Sequence, residues 1–187
     1  MVTSTYTRYI CIGLILLALA VLTACAPSAP AYESPEAAIL AFQQACGLPE
    51  SEVRFIEDTR MVNSPTSDLT TKHYQDAEGR SYYLASDTFQ VLEMDARVMM
   101  ASLPWEPEVI PQPELEALAY NCVNAQVAQF PDRVDDLSYE AGAKNDNYFF
   151  GWYAPVESGL FNGRFAQVGV HDSGLLFAVH NTRDVQD

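Results

Sequence analysis

Residues 82–95, YYLASDTFQVLEMD, hold the reading that decides the fold. Tyr82, Tyr83 and Leu84 start a strand-favouring run, Asp87-Thr88-Phe89-Gln90 reverses the chain, and residues 91–97 resume as a strand. Two such runs around a turn make a β-hairpin. Upstream, residues 70–75 and 80–86 flank a second turn, Asp76-Ala77-Glu78-Gly79. Further back, residues 53–61 alternate as Val53, Phe55, Glu57, and residues 63–68 (NSPTSD) read as loop. Together they predict an antiparallel meander.

A helix precedes it. Ser34 can cap the first turn, Pro35 suits the first helical position, and Glu36 favours the positive N-terminal dipole. Ala38, Ile39, Phe42, Ala45 and Cys46 recur at helical spacing, and Gly47 with Pro49 stops the run. Residues 103–113 (LPWEPEVIPQP) hold four prolines and mark a boundary. Beyond it the order recurs. Pro113 and Glu114 open a helix with apolar Leu115, Leu118, Cys122, Val123, Val127 and Phe130, which Pro131 ends. Residues 137–144, 148–154, 164–171 and 175–181 are strand-like, separated by Asn145-Asp146-Asn147, a Pro/Gly loop at 155–163, and Asp172-Ser173-Gly174.

The recurrence extends to single residues. Pro35-Glu36 matches Pro113-Glu114, and Phe42 and Tyr120 each stand seven residues after those prolines. Asp87-Thr88 matches Asp172-Ser173, and Val91-Leu92 matches Leu176-Phe177. An internal duplication is expected, with units at 34–102 and 113–187 and a Pro-rich linker at 103–112.

The stretch at 82–95 and residues 168–180, VGVHDSGLLFAVH, resemble the PepSY family, as do NDNYFFGWYAP at 145–155 and NGRFAQVGV at 162–170. Phe89 stands where that family usually has glycine. The resemblance implies a helix laid across a curved antiparallel sheet, in exported or membrane-linked proteins. Its best-known members are propeptide segments of thermolysin-like proteases, with inhibition or folding assistance as their proposed role. It brings no catalytic residues. The expected fold is therefore α+β, with two helix-plus-antiparallel-sheet (PepSY/cystatin-like) repeats in tandem.

Ahead of these units, a polar stretch with Arg8 leads into an apolar run from Ile10 to Leu22. That run is shorter than the roughly 20 residues a spanning helix needs. Leu22-Thr23-Ala24-Cys25 resembles the lipobox of bacterial lipoproteins. The resemblance implies that residues 1–24 are a cleaved signal, that Cys25 is the acylated first residue of the mature chain, and that residues 25–33 tether it. Two or three acyl chains hold stably where one binds marginally. Ala26 follows the cysteine, with no Asp to suggest inner-membrane retention, so an outer membrane is expected where two exist. The expected place is the cell envelope, facing away from the cytoplasm.

Loss of Arg8 leaves nine basic against 25 acidic groups, a formal charge of −16. Such a surface repels phosphate backbones, so nucleic acid is excluded as an expected partner. The membrane is then reached through lipid rather than a basic patch. With Cys11 and Cys25 removed from the count, Cys46 and Cys122 remain, and a bridge between them is allowed in an exported compartment. Each also lies on the apolar face of its own helix. If each helix covers a sheet of its own, the thiols sit in separate cores, and two unpaired buried cysteines are the favoured reading.

Chemistry-bearing motifs are sparse. The chain has no Gly-x-Ser-x-Gly elbow, P-loop, dinucleotide fingerprint, Cys-x-x-Cys or His-Glu-x-x-His. Asp172-Ser173-Gly174 reads as turn chemistry rather than a nucleophile. His73, His171 and His180 do not share a metal-ligand spacing, and Met94, Met99 and Met100 read as core filling. The densest aromatic cluster is Tyr148, Phe149, Phe150, Trp152 and Tyr153. Alternation sends Tyr148, Phe150 and Trp152 to one sheet face and Phe149 and Tyr153 to the other. The second set is expected either between the two repeats or on a partner-binding face. The functional expectation is a non-enzymatic, lipid-anchored binding protein without cofactor or metal, acting on a protein or peptide such as an envelope peptidase. The alternative is a small-ligand binder with a pocket between helix and sheet.

Overall fold

The computed structural model describes residues 32–60, 70–104, 108–127, 130–154 and 165–181. Residues 1–31, on which the expected signal and Cys25 fall, lie outside them. The elements run α1 (Pro35–Ala45), β1 (Val53–Arg60), β2 (Thr70–Asp76), β3 (Ser81–Ala85), β4 (Val91–Asp95), the single turn α2 (Arg97–Met100), α3 (Gln112–Gln126), a second single turn α4 (Phe130–Arg133) and a 3₁₀ turn (Val134–Asp136). Four strands close the chain: β5 (Ser138–Lys144), β6 (Asn147–Tyr153), β7 (Phe165–His171) and β8 (Leu176–Asn181).

Local chemistry sets the helix ends. The Ala37 N–H donates to Ser34 Oγ at 3.1 Å, so the expected cap forms. Gly47 takes φ +65°, the left-handed turn that ends α1. The second helix differs from expectation at its end. It stops at Gln126, and Pro131 lies inside the separate turn α4.

Among the described residues eight strands join one antiparallel sheet in the order β1-β2-β3-β4-β8-β7-β6-β5. The expectation of a private sheet under each helix is thereby corrected. The last strand of each half pairs with the other, with Glu93 opposite His180, Met94 opposite Val179 and Asp95 opposite Ala178. Strands that end a meander have an unpaired edge, and here two such edges satisfy each other. Register shifts between Tyr83 and Leu84 and between Gly169 and Val170 bend the paired strands.

Both helices lie on the same sheet face and share one core. Ile39 and Phe42 of α1 and Leu115, Ala119 and Val123 of α3 are buried with Tyr82, Leu84, Met94, Phe150, Val168 and Val179 from the sheet. Burying each large side chain there is worth roughly 1.5–3 kcal/mol. Because the helices meet, Cys46 and Cys122 are bonded, with α-carbons 4.4 Å apart. The reading of two unpaired thiols fails for one reason: it assumed separate cores. The linker side is also pinned, since the Ile110 N–H donates to the Asp172 carbonyl at 2.7 Å.

A buried polar network ties α1 to the β2–β3 hairpin. Arg80 Nε donates to Asp76 Oδ2, and the two side chains are almost wholly buried. The other Asp76 oxygen accepts the Arg80 N–H at 2.9 Å and the Glu78 N–H at 3.1 Å. Arg80 Nη2 reaches the Pro49 carbonyl at 2.8 Å. Tyr82 Oη donates to Asp76 Oδ2 at 2.9 Å and accepts from Gln43 Nε2 at 3.1 Å. Burial, above all, holds the Tyr82 hydroxyl well above the usual tyrosine range. A buried charge pair of this kind is tolerated because nearly every lone pair and proton has a partner.

Candidate functional site

Strand β6 divides its aromatics as alternation requires. Phe150 and Trp152 are buried beneath α3, and Tyr148 packs against the same core. Phe149 and Tyr153 lie on the face away from the helices. That face is not an interface between two stacked repeats, since both halves belong to one sheet. Phe149 is 36% exposed and meets Phe177 edge to face at 5.6 Å. The Phe177 ring folds over Gly169, where an added Cβ would come within 2.7 Å of it. Tyr153 covers Gly151 in the same way.

The helix-covered side opens instead at the outer edge of α3. A cleft of about 630 Å³ lies there, lined by Glu116, Tyr120, Asp135, Tyr139 and Trp152. Trp152 is its floor. Its ring centroid lies 5.4 Å from Tyr139, 6.3 Å from Tyr120 and 5.5 Å from Phe130. The Tyr139 hydroxyl is hydrogen-bonded to Glu116, and burial first, then this carboxylate, raises its pKa above the usual tyrosine range. Among the described residues the lining has two carboxylates and no Lys or Arg. Ring faces and carboxylates converging on one cleft suit a cationic group. Sequence reasoning missed Glu116, Tyr120, Asp135 and Tyr139. A signal was present, because Glu116 and Tyr120 stand four apart on α3 and so project from one helix face.

On the open sheet face, one cross-strand row runs Glu57, His73, Tyr83, Glu93, His180 and Gln167. His73 stacks on Tyr83 with centroids 4.6 Å apart. His180 Nδ1 lies 3.8 Å from Glu93 Oε2. Burial pushes the pKa of both imidazoles down, while Glu57 pulls that of His73 partly back up. Burial, with Asp95 adding to it, pushes the Glu93 carboxyl up. Among the described residues no group of three or more His, Cys, Asp or Glu could hold a metal ion.

The His171-Asp172-Ser173 turn does not form a proton relay. His171 Nδ1 lies 2.9 Å from Ser173 Oγ and accepts the Ser173 N–H at 3.1 Å. Asp172 Oδ1 approaches that same nitrogen at 3.0 Å, without hydrogen-bond alignment. A catalytic triad needs serine and carboxylate on opposite ring nitrogens. The group is turn chemistry, with Gly174 at φ +83°. Met94 is buried and Met99 packs against the core. A second cleft, of about 460 Å³, lies between α1 and residues 50–53, lined by Glu36, Ile39, Leu40, Glu50 and Glu52 among others.

Against family models, curated proteins and solved structures the chain shows no match, so the PepSY resemblance rests on the residues quoted for it.

Proposed function

We propose that this chain is a lipid-anchored envelope protein that works by binding a protein or peptide, without enzymatic activity of its own. The observation that carries the reading is the open aromatic cleft at the edge of α3. Tyr139 is exposed and Tyr120 partly so above the buried Trp152 ring, beside the core that both helices share with the sheet. The buried Cys46–Cys122 bond supports the exported location, because such bonds persist outside the reducing cytoplasm.

The proposal includes the two PepSY-like units. Each half supplies a helix and four strands in the same order. The corresponding turns also agree: Phe89 takes φ +57° where Gly174 takes φ +83°. Superposing residues 34–102 on residues 113–181 tests this, and failure of the helix and strand paths to coincide removes the duplication.

The anchor is tested by metabolic labelling with a fatty-acid analogue. Wild type takes the label at Cys25, and Cys25→Ser does not, since serine lacks the thiol to be alkylated. Equal labelling of both overturns the lipoprotein reading. The second reading, a small cationic ligand, is favoured by the size and acidic lining of the α3 cleft.

A further inference from the structure

The two edges of the sheet are built differently. At one, β1 carries Arg54, Glu57, Asp58 and Arg60, breaks register between Phe55 and Glu57, and has its Asp58 paired with Lys72 at 3.4 Å. Charges and bulges of this kind discourage another chain from pairing there. At the other, β5 runs seven residues, SYEAGAK, all of them exposed. It pairs with β6 in unbroken register from Ser138 to Lys144. Ala141, Gly142 and Ala143 make its middle small and uncharged. Against the four charged residues and the register break of β1, β5 has two charged residues, Glu140 and Lys144, and pairs with no strand beyond it among the described residues.

The open edge also adjoins the aromatic cleft. Tyr139 belongs to β5 and lines that cleft with Trp152, Tyr120, Glu116 and Asp135. Glu140 and Gly142 alternate onto the opposite face. A strand added outside β5 therefore places every second side chain on the helix-covered side, beside the rings and carboxylates. Backbone pairing at an edge gives affinity, and pockets for alternate side chains give specificity.

We infer that β5 takes an extended segment of a partner protein as a ninth strand, with a Lys or Arg of that segment seated in the Tyr120–Tyr139–Trp152 cleft against Glu116 and Asp135. This rests on the binding-protein reading above and names its partner's chemistry. Charge selects the occupant. A second copy brings another 25 acidic groups, and its approach is opposed by like charge, whereas a basic segment is drawn in. Small side chains at positions 141–143 let the incoming backbone come close.

The test pans the full chain, held in detergent micelles, against a random library of capped octapeptides. Expected winners alternate β-branched residues with Lys or Arg. Their binding falls at least roughly tenfold for the Glu116→Gln/Asp135→Asn variant, as loss of two charge contacts implies. N-methylation along one edge of a winning peptide abolishes binding with its side chains intact. Phe149→Ala, on the opposite face, leaves binding unchanged. Winners that ignore Glu116 and Asp135, or depend on Phe149 instead, overturn this site while the binding-protein reading stands. No enrichment at all removes both. Concentration-dependent protection of β5 amides from hydrogen exchange in the chain alone assigns the edge to a second copy and overturns the inference.

Discussion

Cys46 at the end of α1 and Cys122 in the C-terminal half of α3 are bonded across a separation of 76 residues, inside the core shared by both halves. The bond joins the element that opens the first half to the one that opens the second. Closing a loop of that length removes enough freedom from the unfolded chain to stabilise the fold by about 4 kcal/mol.

Reduction, or a Cys46→Ala/Cys122→Ala double substitution, is expected to lower unfolding stability by about that amount. Denaturant titration with and without reductant measures it. Thiol counting in denaturant without reductant should find neither cysteine free. An unchanged midpoint under reduction contradicts the bond.

Asp76 accepts from Arg80 and Tyr82 with its side chain out of solvent. Asp76→Ala strands the buried guanidinium and should cost about 3–5 kcal/mol. Tyr82→Phe removes two hydrogen bonds, the one donated to Asp76 and the one accepted from Gln43, and should cost about 2 kcal/mol. Equal losses for the two variants would show that charge burial is not what the network compensates.

Gly169 has Phe177 folded over it, so Gly169→Ala is expected to cost about 1–3 kcal/mol by forcing the ring aside. Trimming that ring in Gly169→Ala/Phe177→Leu should recover part of the loss. A double variant that sums the two single losses rules out the contact as the cause.

The pKa of His73 is pushed down by burial from its ordinary 6.5. The unfolded chain therefore binds the proton more readily, and stability is expected to fall as pH drops below about 6.5. His180 acts in the same direction. Glu93, with its pKa raised, opposes them, because its protonation in acid favours the folded state. His73→Phe keeps a ring beside Tyr83 and should flatten the slope of unfolding free energy below pH 6.5. An unchanged slope would falsify the assignment to this imidazole.

Strand positions were legible because apolar alternation and turn residues act locally. The Ser34 cap, the Gly47 stop and the burial of Phe150 and Trp152 all follow from spacing of a few residues. Pairing between β4 and β8 leaves no such trace, since Met94 and Val179 read as ordinary core residues whatever lies beside them. The disulfide was obscured for the same reason, as its geometry depends on that pairing. The α3 cleft draws Glu116, Asp135, Tyr139 and Trp152 from four elements, and only the fold brings them together. Arg80 shows the reverse limit, a charge just after a turn that local rules place in solvent and that the structure buries.

The seam between β4 and β8 gives chain growth a definite hazard. β4 is complete by residue 95, yet the strand that covers its edge begins only at Leu176. For that interval a nascent chain presents an uncapped row of backbone donors and acceptors. Nonsense truncation before the final hairpin leaves that row permanently bare, and such fragments are expected to clump rather than persist as half-proteins.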